Sequence, residues 1–243
     1  MPKNNRSQLM LIALALASAL ALPLLSPASL TLGSASAVLG PRRELAPAPF
    51  DVVTRFRPSR FGFAYVNLRT ETSGGDCGGM AYAALDYYRA NRAPSALAPD
   101  AFVLSRDVTS LAANGLAFLS WTLRPDRSTP LTESPGALSR RRELPRLAEA
   151  LRDGPVPLGL IRVHRLRDVG YNHQVVAYGL SRRGPIVRIR LYDPNHPGAD
   201  DIVLQLDVRE RDAPMREYRA GTSLASWRGF FIERYSPIWP PPK

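Results

Sequence analysis

The stretch GGDCGGMAYAALDYY, residues 74–88, decides how the rest of the chain is read. Glycines surround a cysteine, and beyond them Met80, Ala81, Ala84, Leu85 and Tyr88 recur at spacings of three and four. That period predicts an amphipathic helix over residues 78–91, ended by Pro94. Cys77 then stands at the helix N-terminus, where unpaired backbone N–H groups and the positive end of the helix dipole favour a thiolate over a thiol. The same donors lie where an oxyanion would form during attack on a carbonyl. Gly74, Gly75, Gly78 and Gly79 are expected to let the chain turn tightly around that point. A glycine-rich loop opening a helix also suits phosphate, but the pattern GxxxxGK[ST] is missing.

Cys77 is the only cysteine in the 243 residues. The chain begins MPKNNRSQLMLIALALASALALPLL, with Lys3 and Arg6 ahead of an apolar run from Leu9 to Leu25 and with Ala35-Ser36-Ala37 downstream. This is the layout of a secretory signal peptide, expected over 1–37, with an uncleaved membrane anchor as the alternative. A Pro-, Ala- and Gly-containing linker is expected over 38–49, a folded domain over 50–236 and a Pro-rich tail over 237–243. Export to a periplasmic or extracellular space would put one thiol in an oxidising compartment where it has no internal disulfide partner. Such a thiol is either a buried structural residue or a reactive one.

A reactive thiol needs a base that works near neutral pH, and the chain offers His164, His173 and His196. His173 opens the apolar run HQVVAYGL and can project from a rigid strand end, whereas His164 sits among arginines and His196 inside a turn. The next apolar run, IVRIRLYD, ends at Asp193, one hairpin after His173, where a carboxylate can orient the ring. Asp193 is equally good turn chemistry, and Asn195 is an alternative orienting group.

Around these motifs, residues 61–68 read as an extended lead-in and 92–138 as mixed helix and loop. Residues 143–154 read as a second helix bearing Leu144, Leu147, Ala148 and Leu151. VPLGLIRV, HQVVAYGL, IVRIRLYD, DIVLQLDV and RGFFIERY read as strands. A helical first half followed by an antiparallel second half is an α+β pattern.

GGDCGGMAYAALDYY, NHQVVAYGL and IRLYDPNHPG together resemble the papain-like cysteine peptidases, especially the bacterial branch near the bacteriocin-processing peptidases. LRDGPVPLGLI and WRGFFIERY are similar to the strands that precede the histidine and close that fold, so the resemblance covers about residues 50–236. It implies a helical part, with the nucleophile at a helix N-terminus, packed on a C-terminal antiparallel sheet. It also implies a Cys77, His173, Asp193 triad that hydrolyses a peptide or other acyl substrate. His173 follows Cys77 by 96 residues and Asp193 follows by another 20, intervals that suit a compact member. One position departs from the pattern: where the family has a glutamine six residues before the cysteine, this chain has Glu71. A carboxylate there repels an oxyanion, so Asn67, Thr72 or Ser73 would have to donate instead, or Glu71 would have to stay protonated, or the site is impaired.

Two other readings remain: a transglutaminase-like acyl transferase with Cys, His and Asp in the same order, and a papain-like binding module without turnover. The histidine strand lacks the tryptophan commonly found just after that residue in the transferases. One cysteine and three dispersed histidines match no metal spacing and there is no dinucleotide fingerprint, so neither metal nor cofactor is predicted. The formal charge is +11, and loss of Lys3 and Arg6 with a residue 1–37 segment that holds no acid leaves +9. The excess is arginine, scattered without interleaved aromatics, so no nucleic acid is expected and an anionic envelope surface is the candidate partner. Oligomeric state is not legible.

Overall fold

The computed structural model describes residues 50–67, 75–94 and 100–242. The expected signal peptide and linker, and Glu71, Thr72 and Ser73, lie outside those residues. The described chain opens with strand β1 (Phe50–Val53) and the short helix α1 (Pro58–Phe61). The extended lead-in expected over 61–68 is therefore replaced in its described part by a helical end and a coil. Pro58 at the start of α1 pre-sets the helical φ, and this turn aims Phe56, Phe61 and Phe63 into one core cluster.

Helix α2 (Cys77–Arg89) is buried on every side from Cys77 to Tyr87, a stronger burial than a one-faced amphipathic helix has. It packs along α3 (Asp100–Thr122). Three glycines in this region serve close approach. An added Cβ would lie 2.5 Å from the Asn67 amide at Gly75, 2.2 Å from Gln174 Oε1 at Gly78 and 2.2 Å from the Val103 carbonyl oxygen at Gly79. Gly78 and Gly79 are thus helical residues packed against neighbours, which corrects the expectation of a tight turn.

The segment left as mixed helix and loop is largely α3. Val103, Arg106, Ser110, Asn114, Phe118 and Trp121 form its regular buried stripe, with Thr122 buried beside it at the end. Its three middle members are polar, so apolar periodicity could not reveal it. The second predicted helix begins earlier than read, at α4 (Pro135–Leu138). It passes through one wide π-helical turn at Ser139–Glu143 and continues as α5 (Leu144–Ala150). Ser134 caps α4 by accepting the Ala137 N–H at 3.0 Å, and such caps contribute about 1 kcal/mol. At the wide turn the Ser139 hydroxyl accepts the Phe230 N–H at 2.7 Å, which ties the helix to the sheet.

The sheet is antiparallel throughout. Its strands β2 (Val156–Ile161), β3 (His173–Arg183), β4 (Ile186–Tyr192), β5 (Ile202–Asp207), β6 (Met215–Arg219), β7 (Thr222–Trp227) and β8 (Gly229–Ile232) lie in the order β7-β6-β5-β4-β3-β2-β8. β1 pairs with the C-terminal half of β3. Five strands coincide with the apolar runs, whereas β1, β6 and β7 escaped notice because none is a sustained apolar run. Successive residues of β3 point to opposite faces. Val176 and Tyr178 join the aromatic cluster under α2, while Val175 and Ala177 join Leu144, Leu147 and Leu151 of the helix on the other side. The architecture is α+β, a helical part against an antiparallel sheet. Residues 237–242, read as a tail, are fastened to it: Asp86 accepts the Ile238 N–H at 3.0 Å and Arg92 donates to Pro241 O at 2.7 Å. Among the described residues no helix is long and apolar enough to cross a membrane.

Candidate active site

The start of α2, the start of β3 and the turn after β4 converge. Cys77 is the first residue of α2 and is 8 % exposed. His173 is the first residue of β3, and its ring lies next to Cys77. Its Nε2 lies 2.6 Å from Asp193 Oδ1. With Nε2 committed to the carboxylate, Nδ1 is the nitrogen left for the thiol. Burial by itself would lower the His173 pKa, but the Asp193 charge and the Cys77 contact outweigh it and hold the ring well above the ordinary histidine value. Asp193 is buried too, yet His173 and the Asn195 N–H, 2.8 Å away, keep its carboxyl below the ordinary value. These three sequence candidates meet as a buried series.

The alternative orienting residue also arrives, in a supporting position. Asn195 Nδ2 is 3.2 Å from the same His173 Nε2, and its amide meets that of Asn67 at 3.0 Å. Asn67 donates its backbone N–H to Pro194 O at 2.9 Å, and its side chain sits against Gly75 with Oδ1 buried and without a hydrogen-bond partner among the described residues. A ring N–H directed at Asp193 leaves no lone pair for an amide N–H at that edge. Exchanging O and N in both amides turns the Asn195 oxygen to the ring and gives Asn67 Oδ1 its missing donor, leaving the Asn67 nitrogen beside Gly75. His196, set aside as a turn residue, is in the turn but also approaches Asp193 Oδ2 at 3.8 Å. His164 instead approaches Asp126 at 3.6 Å, on the exposed surface.

Behind this series lie groups the sequence reading missed. Trp227 stacks on the His173 ring with centroids 5.9 Å apart and planes at 15°, and its Nε1–H donates to Glu217 Oε2 at 2.8 Å. On the α2 side, Gln174 points away from His173 and donates to Glu233 Oε1 at 2.8 Å and to the Ser110 hydroxyl. Asp107 accepts the Gly79 N–H at 3.0 Å at the start of α2. Burial pushes the Asp107 carboxyl up to about 6, the Gly79 bond opposing it and the nearby Asp76 charge adding to it. Glu217 and Glu233 could have been suspected only from register, since each acid takes an inward position beside an apolar neighbour such as Met215 or Phe231.

Glu233 has a consequence for stability. Burial pushes its carboxyl from 4.5 up to about 8, against the lowering effect of the Gln174 bond and the nearby Tyr82 hydroxyl. As pH rises above 4.5 the unfolded chain releases this proton while the folded one keeps it. The stabilisation is therefore complete below 4.5 and is lost as pH climbs through about 8. The limiting slope is about 1.4 kcal/mol per pH unit for one proton. Thermal melts between pH 5 and 8 should show Tm falling with pH in the wild type and falling less in Glu233→Gln. Parallel curves for the two would contradict a proton held on Glu233.

Among the described residues no group of three His, Cys, Asp or Glu side chains is arranged to hold a metal ion. Comparison with protein-family models, curated proteins and solved structures returns no match.

Proposed function

We propose that this chain is an exported thiol hydrolase of papain-like architecture that cleaves an amide bond in a peptide or other acyl substrate. The observation that carries the reading is the junction at His173. One ring edge holds Asp193 at 2.6 Å and the ring lies next to Cys77, the first residue of a helix. In the proposed cycle the Cys77 Sγ thiolate attacks the carbonyl carbon and forms a C–S bond. His173 Nδ1 gives its proton to the amine nitrogen as the C–N bond breaks. Water then attacks the thioester, His173 takes a water proton, and the C–S bond breaks to release the carboxylate and restore the thiolate. Asp193 keeps the ring in the orientation both proton transfers need.

Of the sequence-derived oxyanion helpers, Asn67 has support from its position, with a buried amide beside Gly75 and next to Asn195. The test is turnover of a fluorogenic peptide-amide library, with intact-mass analysis of trapped intermediates and Cys77→Ala as control. Cys77-dependent release with an acyl adduct on Cys77 is the expected result. Hydrolysis that survives Cys77→Ala would refute the mechanism, incorporation of added amines in place of water would make the chain an acyl transferase, and no turnover with slow, ordinary thiol alkylation would make it a binding module.

A further inference from the structure

Glu217 is buried at 1 % exposure on β6, and no step of the proposed cycle uses it. Its two oxygens face different parts of the histidine's surroundings. Oε2 accepts the indole N–H of Trp227, the ring stacked on His173. Oε1 is buried with no donor directed at it, and the group that the carboxyl meets is Asp193. Two carboxylates in such contact would repel each other inside a low-dielectric interior. A proton on Glu217 removes both problems, because Oε1–H then donates to the Asp193 carboxylate in place of a second charge beside it. Asp193 Oδ1 is already taken by His173 and by the Asn195 N–H, which leaves Oδ2 for this bond.

We infer that Glu217 is a positioning residue for the Cys77–His173 pair, donating its carboxyl proton to Asp193 while it accepts the Trp227 indole N–H. One side chain thereby fixes both the carboxylate at the far end of the imidazole and the ring stacked on its face. A proton on Glu217 below neutral pH agrees with the environment: burial, followed by the Asp193 charge, pushes its carboxyl up to about 7, against the Trp227 bond and the His173 charge. The titratable groups around it are Asp193 and His173, with His196 beyond at 3.8 Å from Asp193 Oδ2. The inference rests on reading Cys77 and His173 as a reactive pair.

The test compares iodoacetamide modification of Cys77 from pH 4 to 9 in wild type, Glu217→Gln, Glu217→Ala and His173→Ala. Each variant's rate at pH 5, below the titration of Glu217, is divided by its folded fraction and expressed as a ratio to wild type, so that loss of folded protein cancels. Glutamine keeps an acceptor for Trp227 and an N–H donor for Asp193, so its rate should match the wild type. Alanine removes both, and its rate should fall about fivefold, the effect of losing one ordinary hydrogen bond. If alanine keeps the wild-type rate, or glutamine falls as far as alanine, the inference is overturned. Should Glu217→Ala fail to fold, the His173 ring resonances decide. The wild type should show an inflection near pH 7 from Glu217, and Glu217→Gln should lose it; the same titration in both would overturn the inference. An unchanged profile in His173→Ala is a different failure, since it removes the reactive pair itself.

Discussion

Replacing His173 with alanine is expected to slow the alkylation of Cys77 at pH 5 on the order of thirtyfold and to change the shape of its pH profile. An unperturbed thiol is ionised only to about 0.03 % at pH 5, so its thiolate population is roughly three thousand times smaller than that of a thiolate held beside an imidazolium. Part of that advantage is given back, because a stabilised thiolate is intrinsically a weaker nucleophile, by about a hundredfold over such a range. The wild-type rate should therefore depend less steeply on pH than that of the variant, which should climb about tenfold per pH unit. The expectation follows from a ring that is buried, next to Cys77 and held above the ordinary histidine value by Asp193. Superimposable profiles would show a thiol that takes no help from the histidine.

The second large effect is on stability. Asp86 and Arg106 form an ion pair at 2.7 Å with both side chains essentially inaccessible, at 0 % and 1 % exposure. Asp86 also accepts the Tyr235 hydroxyl at 2.6 Å and the Ile238 N–H at 3.0 Å, and Arg106 donates to Ser236 O at 2.8 Å. The pair thus fastens α2 and α3 to the segment that follows β8. Truncating one partner strands a charge in the interior, so Asp86→Ala should cost about 3–5 kcal/mol. In a domain of this size that lowers Tm by on the order of 10 °C. Replacing both residues with apolar ones of similar volume should cost much less, because no charge is left buried. A calorimetric melt of Asp86→Ala within two or so degrees of wild type would mean that the pair contributes almost nothing.

The legibility of the chain divided along physical lines. Helix α2 was readable because its inward positions are apolar and glycine-rich, and strands β2, β3, β4, β5 and β8 because each falls in an apolar run. α3 was not, since Arg106, Ser110 and Asn114 occupy its buried stripe and find their partners on distant segments, Ser236 and Asp86 for Arg106, Gln174 for Ser110, Tyr82 and Arg234 for Asn114. A polar residue is tolerated inside when its bonds are satisfied, and satisfaction is a property of the assembled fold. Glu217 and Glu233 were hidden likewise, since the groups that bond one oxygen of each, Trp227 and Gln174, come from other strands.

What the sequence by itself determined is the set of local choices: a cysteine where a helix must begin, a histidine where a strand must begin, and an aspartate where the next strand must end. Turn chemistry, glycine placement and hydrophobic period act over a few residues and need no knowledge of the fold. The tertiary structure alone decided that these three ends converge, that Nε2 serves Asp193 so that Nδ1 is left for Cys77, and that Trp227 covers the ring while Glu217 stands behind it. Those relations join residues 96, 20 and 10 positions apart or more, and only the register of an antiparallel sheet and the packing of α2 against it bring them within bonding distance.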